Sequence, residues 1–277
     1  MKIQKKSFKV VLCLLLIVFL TVALFPIYWT FITSIKSSEE IFATVPTFFP
    51  RKVVWSGYST LFLKTRFVKN LMNSMFVSLT VSTMSILVSM LAAYAIARIY
   101  FRGRKVISKG IFYAYLMPKT VLFIPVYILV TSIGLADSIW GLEFIYPSIT
   151  IPYATWMLVS YFKSIPYDIE EAAIVDGCGR LGSMFKIVFP LAMPGIISTF
   201  IFSFTICWSE YLYALVIITK NSQKTVSLGL ADMIVGDLVN WGPLMGGAII
   251  ASLPIVILYL VASKYLINNM VAGGVKQ

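Results

Sequence analysis

Six long apolar segments dominate the chain and limit the folds that it can adopt. They span 10–32, 70–97, 106–133, 143–162, 194–219 and 242–266. A helix needs about 20 apolar residues to cross the hydrocarbon core of a bilayer. Because 59% of the residues are hydrophobic and only 12% are charged, the chain has too few polar residues to cover a soluble surface. The sequence therefore predicts an all-α, polytopic membrane protein with six transmembrane helices.

The first segment could be a membrane anchor or a cleavable signal. Its basic start, MKIQKKSFKV, is typical of a signal peptide. However, the apolar stretch continues through LFPIYWTFI, and no cleavage site with small residues follows it. We therefore expect a retained helix.

Basic residues between the apolar segments indicate the orientation. With a cytoplasmic N-terminus, most Lys and Arg residues fall on the inner side, although the outer loop 33–69 is also basic. Since cytoplasmic loops carry an excess of Lys and Arg, both termini and the loop 163–190 are predicted to be cytoplasmic. The predicted divisions are 1–69 (N-terminus, first helix and outer loop), 70–268 (a core of five helices) and 269–277 (a cytoplasmic tail).

The chain lacks the residues that several classes of function need. The net charge is +12, and the basic residues lie beside the apolar runs. They form no basic stripe with exposed aromatic residues, so we expect no nucleic acid partner. The chain has no histidine, and its cysteines lack ligand spacing, so we expect no metal and no catalytic residue. It also lacks the glycine-rich phosphate loop of an ATPase. An intramembrane hydrolase needs a nucleophile with a base or a metal site, so this class of enzyme is also disfavoured.

One polar interruption, EEAAIVDGCGRLGSMFKIVFP at 170–190, stands between apolar segments. Pro166 suits the first turn of a helix, and the acidic residues after it favour the positive helix end. Gly177 suits a left-handed helix end, and a flexible turn is expected after it. The small apolar side formed by Ile169, Ala172 and Ala173 indicates a helix that docks against a partner protein, with the neighbouring glutamates facing basic groups.

This stretch resembles the signature loop of ABC importer permeases. The matching residues are Glu171, Ala172, Ala173, Gly177, Ile187 and Pro190, with Phe189 in place of the usual leucine. The flanking sequences AAYAIARIYFRGR, WSEYLYAL and NWGPLMGGAII are similar to the maltose-type member of the carbohydrate-importer permease pair. Ser209 departs from that pattern, where asparagine is common. The resemblance covers nearly the whole chain and implies the type I ABC importer permease fold.

The resemblance implies a permease subunit of an ATP-driven sugar importer in the bacterial plasma (inner) membrane, not an enzyme. Its expected partners are a second homologous permease, a homodimeric or paired cytoplasmic ATPase, an extracytoplasmic solute-binding protein and membrane lipid. ATP and magnesium would bind the ATPase, and this chain would bind no cofactor. The expected ATPase-coupling residues are Glu170, Glu171, Ala172, Ala173, Asp176, Gly177, Ile187 and Pro190. Alternatives are a permease for another solute, such as glycerol phosphate, and an ion-coupled secondary transporter.

Two further groups are candidates for contact with the solute or its binding protein. Lys119, Trp208, Ser209, Glu210 and Tyr211 are candidates for the translocation path. Lys119 could instead extend to the headgroups, and the aromatic residues could form an interface belt. The loop 220–241 matches by position the family's loop that reaches into the binding protein, with Asp237, Asn240 and Trp241 as candidates. Pro118, Pro125 and Pro254 are expected to kink their helices.

Overall fold

The computed structural model describes residues 2–235 and 238–274, which are almost entirely helical. The first helices are α1 (Lys2–Ser34), α2 (Ser38–Ile41), α3 (Ser56–Lys64), α4 (Phe67–Arg98), α5 (Arg104–Leu116), α6 (Lys119–Ser132) and α7 (Ile139–Ile145). They are followed by α8 (Pro147–Ser164), α9 (Tyr167–Ala173), π1 (Ile174–Cys178), α10 (Gly179–Ser183), π2 (Met184–Val188), α11 (Phe189–Leu191), α12 (Met193–Trp208), α13 (Leu212–Ile217), α14 (Val226–Ala231) and α15 (Trp241–Gly274). Two short strands, β1 (Ile234–Val235) and β2 (Leu238–Val239), pair antiparallel. Apart from this pair, the all-α prediction is confirmed.

Three stretches of helix in the described part of the chain are long and apolar enough to cross a membrane. They are Phe8–Ser34, Phe67–Arg98 and Trp241–Ser263. Two bent pairs raise the number to five when each pair counts as one span: Arg104–Leu116 with Lys119–Ser132, and Tyr167–Leu191 with Met193–Trp208. The predicted segment 143–162 corresponds to α8, a helix of 18 residues. The expected six helices are consistent with this arrangement, and their number stays a prediction.

The chain contains two compact units. One contains residues 1–67 with 230–253, and the other contains residues 68–229 with 254–277. The first boundary lies close to the predicted one at residue 69. The grouping of 230–253 with the N-terminal residues was not predicted from topology, and the predicted division stays a prediction.

The first unit contains α1, whose apolar side chains are exposed along most of the helix. Phe19 and Val22, for example, are about 70% exposed. Such a surface is unfavourable in water and suits lipid. After α1, the chain is held by a hydrogen bond from Val54 N to Ile35 O (2.8 Å) and by a contact of 2.9 Å between the Ser34 and Tyr58 hydroxyls.

The second unit is built around α4, which contributes to both of its hydrophobic clusters. One cluster joins α4 to α8 and the segment 184–192, and the other joins α4 to α6, α7 and α13. Serines recur along the buried side of α4 at helical spacing: Ser74, Ser78, Ser82, Ser85 and Ser89. Because these side chains are small, neighbouring helices can approach closely. The Ser85 hydroxyl lies 2.6 Å from that of Thr150 on α8.

Two predicted continuous segments are broken. Segment 106–133 divides into α5 and α6 with a bend of 97° at Met117 and Pro118. The bend agrees with the kink expected at Pro118, since proline removes a backbone donor and favours extended backbone before it. Segment 194–219 divides into α12 and α13 at 209–211, which was not predicted. Pro125 and Pro254 lie inside α6 and α15 without a break.

Candidate functional site

The loop 163–190 folds as a short series of helical turns. Pro166 precedes α9, and Asp168 and Glu170 lie in its first turn, as predicted. The backbone reverses to φ 88° at Gly177, inside π1, and this break was also predicted. Gly179 is also outside the helical region (φ 61°, ψ 170°), so the chain turns over 177–179, and α10 and π2 then carry the helical backbone to Val188.

Glu170 turns inward and joins α9 to α4. Its side chain is 7% exposed, and it accepts a hydrogen bond from the Tyr94 hydroxyl. Arg98 Nε lies 3.3 Å from the other carboxylate oxygen. This is an ion contact rather than a well-aligned hydrogen bond, since neither of these two atoms has a hydrogen-bond partner among the described residues. The prediction that both glutamates face a partner therefore does not fit Glu170.

Arg98 also holds the beginning of the loop. Its Nη2 donates to the carbonyl oxygen of Ile165 at 2.8 Å, and its guanidinium lies 4.2 Å from the centre of the Tyr167 ring. The Tyr167 hydroxyl in turn donates to Ala97 O at 2.6 Å. The end of α4 and the start of α9 are thus connected by several polar contacts, and both side chains of the Arg98–Glu170 pair are buried.

The sequence contains a signal for this network. Tyr94 and Arg98 are four residues apart in AAYAIAR, so they lie on one side of a helix. A charged residue on an apolar helix commonly has a partner. The identity of that partner depends on the packing of α9 against α4, which helical spacing does not show.

The outward side of α9 and π1 carries the other predicted coupling residues. Glu171, Ala172, Asp176 and Gly177 are exposed, whereas Ala173 is buried. The predicted apolar side of Ile169, Ala172 and Ala173 is therefore divided, because Ala173 packs inward.

Further exposed apolar side chains extend this surface. They are Ile169 and Val175, which is 86% exposed, and beyond Gly177 also Leu181 and Phe185. We call the exposed residues Ile169, Ala172, Val175, Leu181 and Phe185 the apolar face of the loop.

The second part of the signature lies partly in the core. Phe189 is buried, stacks on Phe162 with ring centres 5.7 Å apart, and contacts Tyr94 edge to face at 6.3 Å. Ile187 is half-buried and Pro190 is exposed. The phenylalanine at 189 therefore fills the hydrophobic cluster beneath the loop, which accounts for an apolar residue at this position.

The candidate path residues fall into two groups by burial. Lys119, at the start of α6, is exposed and lines a cavity of about 230 Å³ together with Tyr115, Tyr153 and Phe202. Ser209 and Tyr211, between α12 and α13, are also exposed.

The other two candidates, Trp208 and Glu210, are buried. Trp208 stacks on Phe204, with ring centres 5.5 Å apart. The Glu210 carboxylate accepts hydrogen bonds from Tyr213 N (3.1 Å) and Ala214 N (3.2 Å), in the first turn of α13. It also accepts one from the Tyr146 hydroxyl at 3.0 Å. These bonds explain why a helix begins again after the break, because Glu210 satisfies donors that a helix start leaves free.

The predicted contacts with a binding protein are only partly visible. Asp237 lies outside the described residues. Asn240 is exposed, and its backbone N–H donates to Met233 O at 3.4 Å, next to the β1–β2 pair. Trp241 is half-buried at the start of α15. Among the described residues, no group of three His, Cys, Asp or Glu side chains could hold a metal ion.

Comparisons with known proteins agree with this architecture. Residues 85–271 match the family described as "Binding-protein-dependent transport system inner membrane component". The chain is 34% identical over 263 residues to the inner membrane ABC transporter permease protein YcjP of Escherichia coli (strain K12), with 94% of each chain covered. It is 31% identical over 265 residues to the trehalose/maltose transport system permease protein MalG of Thermococcus litoralis, with 92% of each covered.

A solved structure shows the same fold. A chain of a bacterial ABC transporter involved in the import of the acidic polysaccharide alginate superimposes with a TM-score of 0.79 at 24% identity, and 95% of this chain and 97% of that chain are covered. The importer permease fold predicted from the sequence is thus confirmed, and the chain is a multi-pass membrane protein. It belongs to the family of inner membrane components of binding-protein-dependent transport systems, the ABC importer permeases.

Proposed function

We propose that this chain is the membrane-spanning permease subunit of an ATP-driven importer that moves a sugar or oligosaccharide delivered by an extracytoplasmic binding protein. A second homologous permease subunit completes the membrane part. A homodimeric or paired cytoplasmic ATPase binds ATP and magnesium. The substrate class rests on the trehalose/maltose and alginate systems to which this chain is similar.

One observation carries the coupling part of this proposal: the loop 163–190 combines an exposed apolar face with a buried polar anchor. Val175 and Leu181 are largely exposed, although contact with water is unfavourable for such side chains. Glu171 is exposed beside them and is available to a basic residue of the ATPase. A surface of this kind suits a partner protein that covers the apolar residues and pairs with the charge.

The anchor gives a route for the movement. When ATP closes the two ATPase subunits, α9 moves with the surface to which it is bound. The contacts of Glu170 with Tyr94 and Arg98 then transmit that movement to α4, which crosses the membrane. Because the anchor is buried and polar, α9 and the end of α4 move together, and the permease shifts between inward-open and outward-open states.

The translocation path and the outer contacts are further parts of the proposal. Lys119, Ser209 and Tyr211 are exposed and accessible to a solute. Trp208 and Glu210 are buried and stabilise the break between α12 and α13. On the outer side, Asp237, Asn240 and Trp241 are the proposed contacts with the binding protein. Both termini are proposed to be cytoplasmic.

The test is ATP-dependent sugar uptake into vesicles that contain this chain with its companion permease, ATPase and binding protein. Glu171→Lys should abolish uptake and release the ATPase, because it reverses the proposed charge pair, whereas Glu171→Gln should reduce uptake only in part. Glu39→Lys, the same charge change on exposed α2, is the control. Unchanged uptake in Glu171→Lys would exclude the docking role. Uptake that follows an ion gradient and ignores ATP would exclude the importer function.

A further inference from the structure

A basic cavity lies where α4 ends and α5 begins, and none of the residues of the apolar face of the loop lines it. It has a volume of about 700 Å³ and is lined by eleven residues. Five of them are cationic: Arg102, Arg104, Lys105, Lys109 and Lys163. None of the described lining residues is acidic, so the positive charges in this cavity are not balanced from its own walls.

The arrangement of these charges favours an anion. Arg104 Nη2 donates to Ala97 O at 3.1 Å, which fixes its guanidinium at the wall. Like charges around a common space repel one another, and an anion between them removes that repulsion. Arginine and lysine together offer several donors, which matches the oxygens of a phosphate group.

The backbone at the start of α5 adds to the positive potential of the cavity. Gly103 precedes α5 with φ 91°, and no side chain caps the helix. The positive end of this helix, which has 13 residues, therefore lies at the cavity wall. A Cβ added to Gly103 would meet nothing within 4 Å, so the space beside this turn is open.

The position of the cavity indicates where the phosphate comes from. The helix α4, which is long and apolar enough to cross a membrane, ends at Arg98, directly before the turn. A turn that directly follows such a span is expected near the lipid headgroups. Tyr100 is 94% exposed, and aromatic side chains at this level are typical of the membrane interface. Ile96 and Phe101 add apolar wall, which suits the glycerol and upper acyl part of a lipid.

We infer that the cavity formed by Arg102, Arg104, Lys105, Lys109 and Lys163 binds a phosphate group, supplied by the headgroup of an anionic phospholipid. The protein would thereby hold a specific lipid at the turn between two membrane segments. Clusters of basic residues next to membrane helices bind anionic headgroups in this way. This inference concerns a lipid contact and does not depend on the transported solute.

The test uses the assembled transporter, purified in detergent and freed of lipid. Binding of radiolabelled dioctanoyl phosphatidylglycerol, dioctanoyl phosphatidylcholine and inorganic phosphate is measured at equilibrium. The test variant is Arg102→Gln/Lys105→Gln/Lys109→Gln. The control variant is Arg51→Gln/Lys52→Gln/Lys64→Gln, which removes the same charge from other exposed positions.

The wild type should bind phosphatidylglycerol at least tenfold more tightly than phosphatidylcholine. The test variant should lose this preference by at least tenfold, and the control variant should keep it. The variant Arg102→Lys/Lys105→Arg/Lys109→Arg, which preserves the charge, should also bind, so that a folding defect is distinguished from a lost contact.

The other outcomes are equally informative. Binding of inorganic phosphate without a preference for phosphatidylglycerol would keep the phosphate site and assign a free phosphate as its source. Equal behaviour of the test and control variants would overturn the site. So would an unchanged lipid preference combined with loss of the ATPase from the test variant, because the cavity would then be a contact with protein.

Discussion

Arg98 and Glu170 form a buried ion pair that joins the end of α4 to α9, with 3.3 Å between Nε and the carboxylate oxygen. Their side chains are 2% and 7% exposed. Removing one member of such a pair leaves an uncompensated charge away from water, which typically costs about 3–5 kcal/mol. The pair therefore makes the position of α9 depend on α4.

Arg98→Gln should lower the free energy of unfolding by about 3–5 kcal/mol, because Glu170 loses its charged partner and keeps only the Tyr94 hydroxyl, and Ile165 O loses a donor. Limited proteolysis should show faster cleavage within 163–190, while membrane insertion persists. Lys186→Gln, an exposed change in the same loop, is the control. The double variant Arg98→Met/Glu170→Leu should lose less stability than the sum of the single changes. Additive losses would show that the two residues act independently.

Gly177→Ala should strain the backbone turn inside π1. An L-residue with a side chain costs about 1–2 kcal/mol in the left-handed region, and φ at Gly177 is 88°. We expect lower thermal stability and reduced ATP-dependent uptake, and a milder effect for Gly177→Asn. Gly182→Ala is the matched control, because its added Cβ would meet Cys178 Cβ at an ordinary 3.6 Å. Equal effects of the two alanine changes would argue against backbone strain.

The features that were predicted correctly depend on local chemistry. Proline before a helix and glycine at a helix break act through their own backbone, so the beginning of α9 after Pro166 and the reversal at Gly177 are readable from sequence. The bend at Pro118 has the same origin. Long apolar segments indicate membrane helices directly, because a helix of fixed length is needed to cross the hydrocarbon core of the bilayer.

The features that were missed depend on distant parts of the chain. Helical spacing alone does not decide whether Glu170 or Glu171 faces inward, because this depends on where α4 places Tyr94 and Arg98. The break between α12 and α13 was hidden for the same reason. The segment that contains Glu210 is apolar and looks continuous in the sequence, because the contact of its carboxylate with Tyr146, which lies between α7 and α8, depends on the tertiary fold.

Asp137→Ala should destabilise the connection between α6 and α7 in a manner that depends on pH. The Asp137 carboxylate accepts hydrogen bonds from the Thr219 side chain and backbone and from Lys220 N, and these bonds lower its pKa below the ordinary 3.8. A group whose pKa is lower in the folded state stabilises it above the unfolded pKa, and the effect is lost as pH falls through the folded value. The difference in thermal unfolding between wild type and variant should therefore be largest near pH 7 and become smaller as pH falls below the ordinary pKa of 3.8.

Asp137→Asn is the informative companion change. Asparagine tolerates the positive φ of 54° at this position, and its oxygen can still accept some of the bonds. It should retain part of the stability and show little change with pH in this range. If the deficit of Asp137→Ala instead stays constant as pH is lowered from 7 until the protein unfolds in acid, the ionised carboxylate is not the source of the effect.

Glu210→Ala should lower the stability of the folded protein, and any loss of transport should follow from that lower stability. It leaves the N–H groups of Tyr213 and Ala214 and the Tyr146 hydroxyl without their buried acceptor, and each such loss costs about 1–3 kcal/mol. We expect the free energy of unfolding to fall by at least about 2 kcal/mol, measured by thermal or denaturant unfolding of the purified transporter.

Lys119→Met is the matched comparison, because Lys119 is an exposed candidate for the same path. It should leave stability nearly unchanged and alter uptake alone, since its side chain lines the cavity without supporting a helix start. If Glu210→Ala instead leaves unfolding unchanged and abolishes uptake, the carboxylate acts on the solute and the break between α12 and α13 is held by other contacts. Loss of both properties in Glu210→Ala, with uptake restored at low temperature, would identify Glu210 as a supporting residue of the path.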